Sequence, residues 1–189
     1  PVLRTPSRLE SFASRETMFL LNNWILLGML FAVLWGTLFP VFSEAITGDK
    51  ITVGAPFFNR VNIPIGLVLL LLTGAGPLFA WRKTSAEGLR RNFAVPISAA
   101  IISCIVVGTL GVRNLYAMMS LTLCGFVVGS VALEFYRGTM ARKRNSGERI
   151  WPALLWLLTK SRRRYGGYLV HIAMVLLFVG FTGKAFTTE

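Results

Sequence analysis

Acidic side chains are scarce in this chain. Eight Asp and Glu stand against twenty Lys and Arg among 189 residues, and there is one histidine. No paired-carboxylate site, no His/Cys metal cluster and no P-loop is present, so beyond the single histidine no catalytic constellation appears. The two cysteines, Cys104 and Cys124, both fall inside apolar runs. With no Cys-x-x-Cys spacing there is neither a thiol pair nor a site for covalent heme attachment. They read as small buried hydrophobes. Charged residues make up only 15% of the chain, where a soluble domain carries roughly a quarter.

What is abundant is apolar. Hydrophobic residues reach 54% and mean hydropathy is +0.62, more than a core of this size can hide. They gather in long runs almost free of charge, the mark of membrane-spanning helices. A soluble globular enzyme is excluded. The fold class is all-α, a polytopic membrane protein with five spans at about 18–39, 61–81, 93–112, 115–133 and 166–183, each near the ~20 residues a bilayer core demands. A sixth apolar stretch, Ile150 to Leu158, is too short to cross and reads as an interfacial segment with its tryptophans at headgroup level.

Net charge is +12, but its placement points away from nucleic acid. Sixteen of the twenty Lys and Arg lie in an N-terminal arm (1–17), in the connection 82–92 and in a basic loop (134–165). Lys50, Arg60, Arg113 and Lys184 alone lie on the other side. By the positive-inside rule the N-terminus is cytoplasmic and the C-terminus, with its tail 185–189, is periplasmic. No polar domain presents a basic groove, so no nucleic-acid partner is expected.

The connections carry weaker signals. The outer loop 40–60 is rich in turn formers and β-branched residues, suiting a short hairpin or a cap. Only Arg113 and Asn114 join the third and fourth spans, which must be adjacent and antiparallel. Gly74, Gly76 and Pro77 predict a kink or close helix contact. Ser7-x-x-Glu10 has the form of a capping box. The chain starts on Pro1 and its first 17 residues do not resemble a cleavable signal, as in a piece of a longer chain or a split subunit.

Chemistry concentrates on the single histidine. His171 follows Tyr165 by six residues in the fifth span, ~9 Å in from the cytoplasmic boundary. Intramembrane ionisable groups are costly and by default functional, and imidazole is an axial ligand of heme iron. One turn before it, Gly167 leaves space for a flat ring. Arg162, Arg163 and Arg164 sit at the edge, where guanidinium pairs with carboxylates such as propionates. The competing reading is a helix-interface histidine hydrogen-bonded to a neighbour, with the arginines anchoring the helix. A bis-histidine site needs a second ligand from outside this chain. Asn22 and Asn23 read as helix–helix hydrogen-bonding groups facing two neighbours. Glu134 is the lone carboxylate at a membrane edge, which gives a proton-coupled transporter little support.

The runs SRETMFLLNN (14–23), WGTLFP (35–40), ITVGAPFFN (51–59), GAGPLFAWR (74–82) and RRRYGGYLVHIAMVLLFVGFTGKAF (162–186) together resemble the heme-handling F component of bacterial cytochrome c maturation (CcmF) and the related nitrite-reductase-specific heme lyases. The resemblance implies a cytochrome c heme lyase in the bacterial inner membrane, joining heme to the Cys-x-x-Cys-His motif of an apocytochrome on the outer face. It also implies a b-type heme held between transmembrane histidines, with His171 matching one of them. The family presents its substrate heme on a tryptophan-rich external loop flanked by two external histidines. Here Trp24, Trp35, Trp81, Trp151 and Trp156 are dispersed and no external histidine occurs. The resemblance is therefore to an internal segment, not to a complete enzyme. Its implied partners are the remainder of the lyase, with the heme-presenting loop and second axial histidine, and proteins that deliver heme and handle apocytochrome c. Quinol and the lipid bilayer complete that set. The alternatives are a non-catalytic helical scaffold and a transporter or quinol-oxidising cytochrome b-like subunit.

Overall fold

The computed structural model describes residues 14–80 and 85–184, with the Lys184 side chain left aside. Its chain runs through α1 (Arg15–Thr47), α2 (Ala55–Ala75) with a 3-10 turn (Gly76–Leu78), α3 (Ala86–Thr109), α4 (Leu115–Ser146), α5 (Ile150–Lys160) and α6 (Arg162–Lys184). Among the described residues there is no strand. Five of the helices are long and apolar enough to cross a membrane, and α5 is the short apolar one. The protein is an all-helical multi-pass membrane protein.

Local chemistry sets the helix ends. The Ser14 hydroxyl accepts from the Thr17 amide at 3.2 Å, Ser85 from Gly88 at 3.1 Å and Asn114 from Ala117 at 3.1 Å, each satisfying a donor the first turn leaves open. At the other ends, Gly48 (φ 76°) and Gly147 (φ 69°) close α1 and α4 in the left-handed conformation that glycine adopts without strain. Ser7 and Glu10, read as a capping box, lie outside the described residues, as do Trp81 and the tail 185–189.

The helices outrun the spans read from hydropathy. Helix α1 passes through Pro40 to Thr47, carried by aromatic residues at helical spacing. Trp35 stacks on Phe31 at 6.2 Å and on Phe42 at 5.8 Å. Helix α2 begins with Pro56 in its first turn, where a missing amide hydrogen costs nothing. What remains between them is 48–54, tied back by the Ile51 amide donating to the Ser43 hydroxyl at 2.9 Å. The expected outer hairpin does not form, because helix stop and start residues, Gly48 and Pro56, lie within the stretch read as loop. The basic loop 134–165 is likewise mostly helical, being the end of α4, then α5, then the start of α6.

Helix α4 is the centre, touching α2, α3, α5 and α6. Its 32 residues extend about 48 Å. Gly125 and Gly129 let α3 lie against it: a Cβ added at Gly129 would stand 2.7 Å from the Ala99 Cβ, and one at Gly125 2.5 Å from the Ser103 Cβ. This is the small-residue packing of membrane helices, reinforced by the Ser103 hydroxyl donating to the Leu121 carbonyl at 2.9 Å. The third and fourth spans are adjacent and antiparallel, as their short connection requires. On the opposite side Gly74 of α2 meets Phe126 and Val127, and the Ser130 hydroxyl donates to its carbonyl at 2.7 Å. The glycine–proline stretch thus supplies both the close contact and the turn that ends α2. The buried core runs through Leu70, Cys124, Val127, Val131, Leu157, Tyr165, Tyr168 and Val175. Cys124 is buried as expected, whereas Cys104 is only partly buried; both are free thiols.

Candidate functional site

Helices α1, α2 and α6 do not close on one another at the end of the bundle where α1 and α6 start and α2 ends. They leave a cavity of about 420 Å³, lined among others by Arg15, Asn22, Arg163, Arg164, Gly167 and His171. That volume lies within the range of small-molecule sites. Its polar groups are graded along α6. The arginines sit in the first turn, Gly167 one turn on and His171 one turn further. Charge therefore marks the mouth, and the imidazole lies about 10 Å deeper along the axis.

His171 is half-buried. Its Nδ1 is buried and has no hydrogen-bond partner. Among the described residues no neighbouring helix offers this nitrogen the partner that the interface reading expects. The ring instead meets Tyr168 edge to face, centroids 6.0 Å apart. At Gly167 a Cβ would meet nothing within 4 Å, so this glycine is not demanded by helix packing. An imidazole that lines the cavity beside an open glycine and below a cationic mouth fits the donor set of a heme: a nitrogen for iron, space for a ring, cations for carboxylates.

The three arginines differ. Arg163 lines the cavity and makes no ion pair with a described residue. Arg164 lines it too, but its Nη2 donates to Glu134 Oε2 at 3.0 Å. Arg162 is not among the lining residues, and its Nε donates to the Thr159 carbonyl at 2.9 Å. Glu134 is only 6% exposed. It also accepts from the Tyr168 hydroxyl at 2.9 Å, and Arg137 approaches its other oxygen at 3.7 Å. A buried carboxylate without such hydrogen-bonding partners would be costly. The network therefore fastens α6 to α4 at the level of the cavity.

Of the asparagines, Asn22 lines the cavity, while Asn23 is exposed on the outside of α1. Arg15 was one basic residue of an arm in the sequence. The structure brings it across to the end of α2, where its Nη2 donates to the Pro77 carbonyl at 2.7 Å. No local sequence signal announced that placement. Among the described residues no group of three or more His, Cys, Asp and Glu could hold a metal ion. A second cavity, of about 480 Å³ between α2, α3 and α4, is lined by apolar side chains with Cys104 and Tyr116.

No family model matches the sequence and no solved structure matches it. Curated proteins do. The cytochrome c-type biogenesis protein CycK of Rhizobium meliloti is 33% identical over 178 residues, 93% of this chain and 26% of the relative. CcmF of Pseudomonas fluorescens is 29% identical over 168 residues, 88% of this chain and 24% of its own. The probable biogenesis protein NrfE of Escherichia coli is 28% identical over 115 residues, 60% and 21% respectively. The chain thus spans about a quarter of the length of the first two. Over nearly all of its residues, it corresponds to one segment of the CycK, CcmF and NrfE family of cytochrome c-type biogenesis proteins.

Proposed function

We propose that this chain serves cytochrome c maturation as a segment or subunit of a membrane heme lyase, with His171 as one axial ligand of a heme b. The observation that carries the reading is the His171 imidazole, which lines a cavity whose mouth bears Arg163, a guanidinium with no ion-pair partner among the described residues. The similarity to cytochrome c-type biogenesis proteins supports the same reading.

When bound, such a heme supplies one-electron chemistry suited to reducing an incoming heme iron. This chain's part is to present a neutral imidazole nitrogen, exclude water through the surrounding apolar helices, and hold α6 in place through Glu134, Arg164 and Tyr168. The second axial ligand and the heme-presenting surface come from the remainder of the lyase, in the bacterial inner membrane. We place the end where α1 and α6 start, with the cavity mouth, on the cytoplasmic side because sixteen of the twenty Lys and Arg belong to the segments 1–17, 82–92 and 134–165 of the sequence.

The test is His171→Ala in the whole assembly, produced with an apocytochrome c and assayed for covalently heme-stained product and for the amount of inserted protein. The expected result is normal insertion with no mature cytochrome. Normal maturation by the variant would overturn the proposal.

A further inference from the structure

Three arginines line the His171 cavity, and their charges are not equally answered. Arg164 has Glu134 as its counter-ion. Arg15 and Arg163 have no carboxylate partner among the described residues. Glu16, next to Arg15, is exposed and does not line the cavity. Arg15 is also held in place. Its backbone amide donates to the Ala80 carbonyl at 2.8 Å and its Nη2 to the Pro77 carbonyl at 2.7 Å. Its Nε is nonetheless buried without an acceptor among the described residues. A guanidinium pinned at one nitrogen keeps its other donors in a fixed plane, and an unanswered buried donor calls for an acceptor. Helices α1 and α6 both start at this end, so the partial positive charge of two N-termini adds to the field.

We propose that Arg15 and Arg163 form an anion site across the cavity mouth that takes the carboxylates of the ligand held by His171. This rests on the heme reading of the site and adds a residue from α1 to it. Arg163 precedes His171 by eight residues on α6, about 12 Å along the axis. The site therefore selects a ligand with an iron-coordinating ring at depth and an acidic rim toward the basic end. Carboxylate answers the guanidinium fork with two hydrogen bonds, and Arg15 is the better placed of the two to give them because its geometry is already fixed. The phosphate of an anionic lipid is the other source of the same chemistry at a membrane edge.

The test uses the assembled complex produced without heme and titrated by Soret absorbance with protoheme and with its dimethyl ester, which lacks the free carboxylates. The expected result is that Arg15→Gln and Arg163→Gln each weaken protoheme binding about tenfold while ester binding stays at the wild-type value. Arg15→Lys should recover part of the loss. Wild-type affinity for protoheme in both variants would overturn the anion site. So would an equal loss of protoheme and ester, which marks a structural defect. Fewer phosphatidylglycerol molecules retained per protein, with the protoheme-to-ester ratio unchanged, would assign the arginines to lipid and also overturn it. His171→Ala separates the two levels of the argument: if it binds both porphyrins normally the heme reading fails, whereas normal arginine variants beside a deficient His171→Ala sink the anion site alone.

Discussion

Gly129 and Gly167 are both glycines in membrane helices, and their surroundings are opposites. At Gly129 an added Cβ would lie 2.7 Å from the Ala99 Cβ and 3.1 Å from the Pro96 Cα, whereas at Gly167 it would meet nothing within 4 Å. The first glycine exists so that α3 and α4 can touch. The second sits where helices do not touch, one turn from an unbonded histidine. Packing explains one and leaves the other unexplained, and that separates the side of the bundle that holds the fold from the side open to a ligand.

The comparison is broken most severely by Gly129→Leu. Its side chain would enter backbone and Ala99, costing about 3 kcal/mol by overpacking, and the measurement is the unfolding midpoint in detergent. Next comes Glu134→Ala, which leaves the Tyr168 hydroxyl and Arg164 without their shared acceptor. About 2 kcal/mol is expected, less than a fully buried pair would lose because Arg164 is more than half exposed. Tyr168→Phe should lose less than Glu134→Ala in the same assay. Gly167→Ala should cost nothing and should stabilise the helix by up to about 1 kcal/mol, while Gly167→Leu should keep the fold and lower heme content. A Gly167→Leu protein that unfolds like Gly129→Leu would erase the distinction.

The smallest effect belongs to the surface. Arg142 donates to Glu148 at 2.9 and 3.3 Å, and this hydrogen bond holds the carboxyl below its ordinary range. A lowered folded-state value means the contribution is complete above the ordinary carboxylate range. It is lost as pH falls through the lower value. Acid titration of the unfolding midpoint should therefore show a slight decline that Arg142→Gln removes.

Five helices long enough to cross, the short apolar α5 and the Gly74 contact were legible because each rests on short-range pattern: apolar run length, a run too short to span, a glycine beside a proline. Helix ends were less so, because hydropathy reports only what lies in lipid. The amphipathic extensions of α1 and α4 are instead stopped by Gly48 and Gly147. The network at Glu134 and the placement of Arg15 were not legible at all. Arg15 meets Pro77 across 62 positions of sequence, and Glu134 meets Arg164 across 30. No local spacing encodes pairings that depend on how the helices are arranged. His171, Gly167 and Arg163 could be read from one helix face because all three lie on α6.

The central proposal is that a heme binds His171 on the α1–α2–α6 side and that the fold does not depend on this residue. A reduced-minus-oxidised visible spectrum of the assembled complex, recorded for wild type and His171→Ala alongside the unfolding midpoint, tests both halves at once. The account predicts a low-spin b-type signal in the wild type, its loss in the variant, and equal unfolding midpoints when both proteins are heme-free. An unchanged heme signal in His171→Ala, or no heme in the wild type, would contradict it.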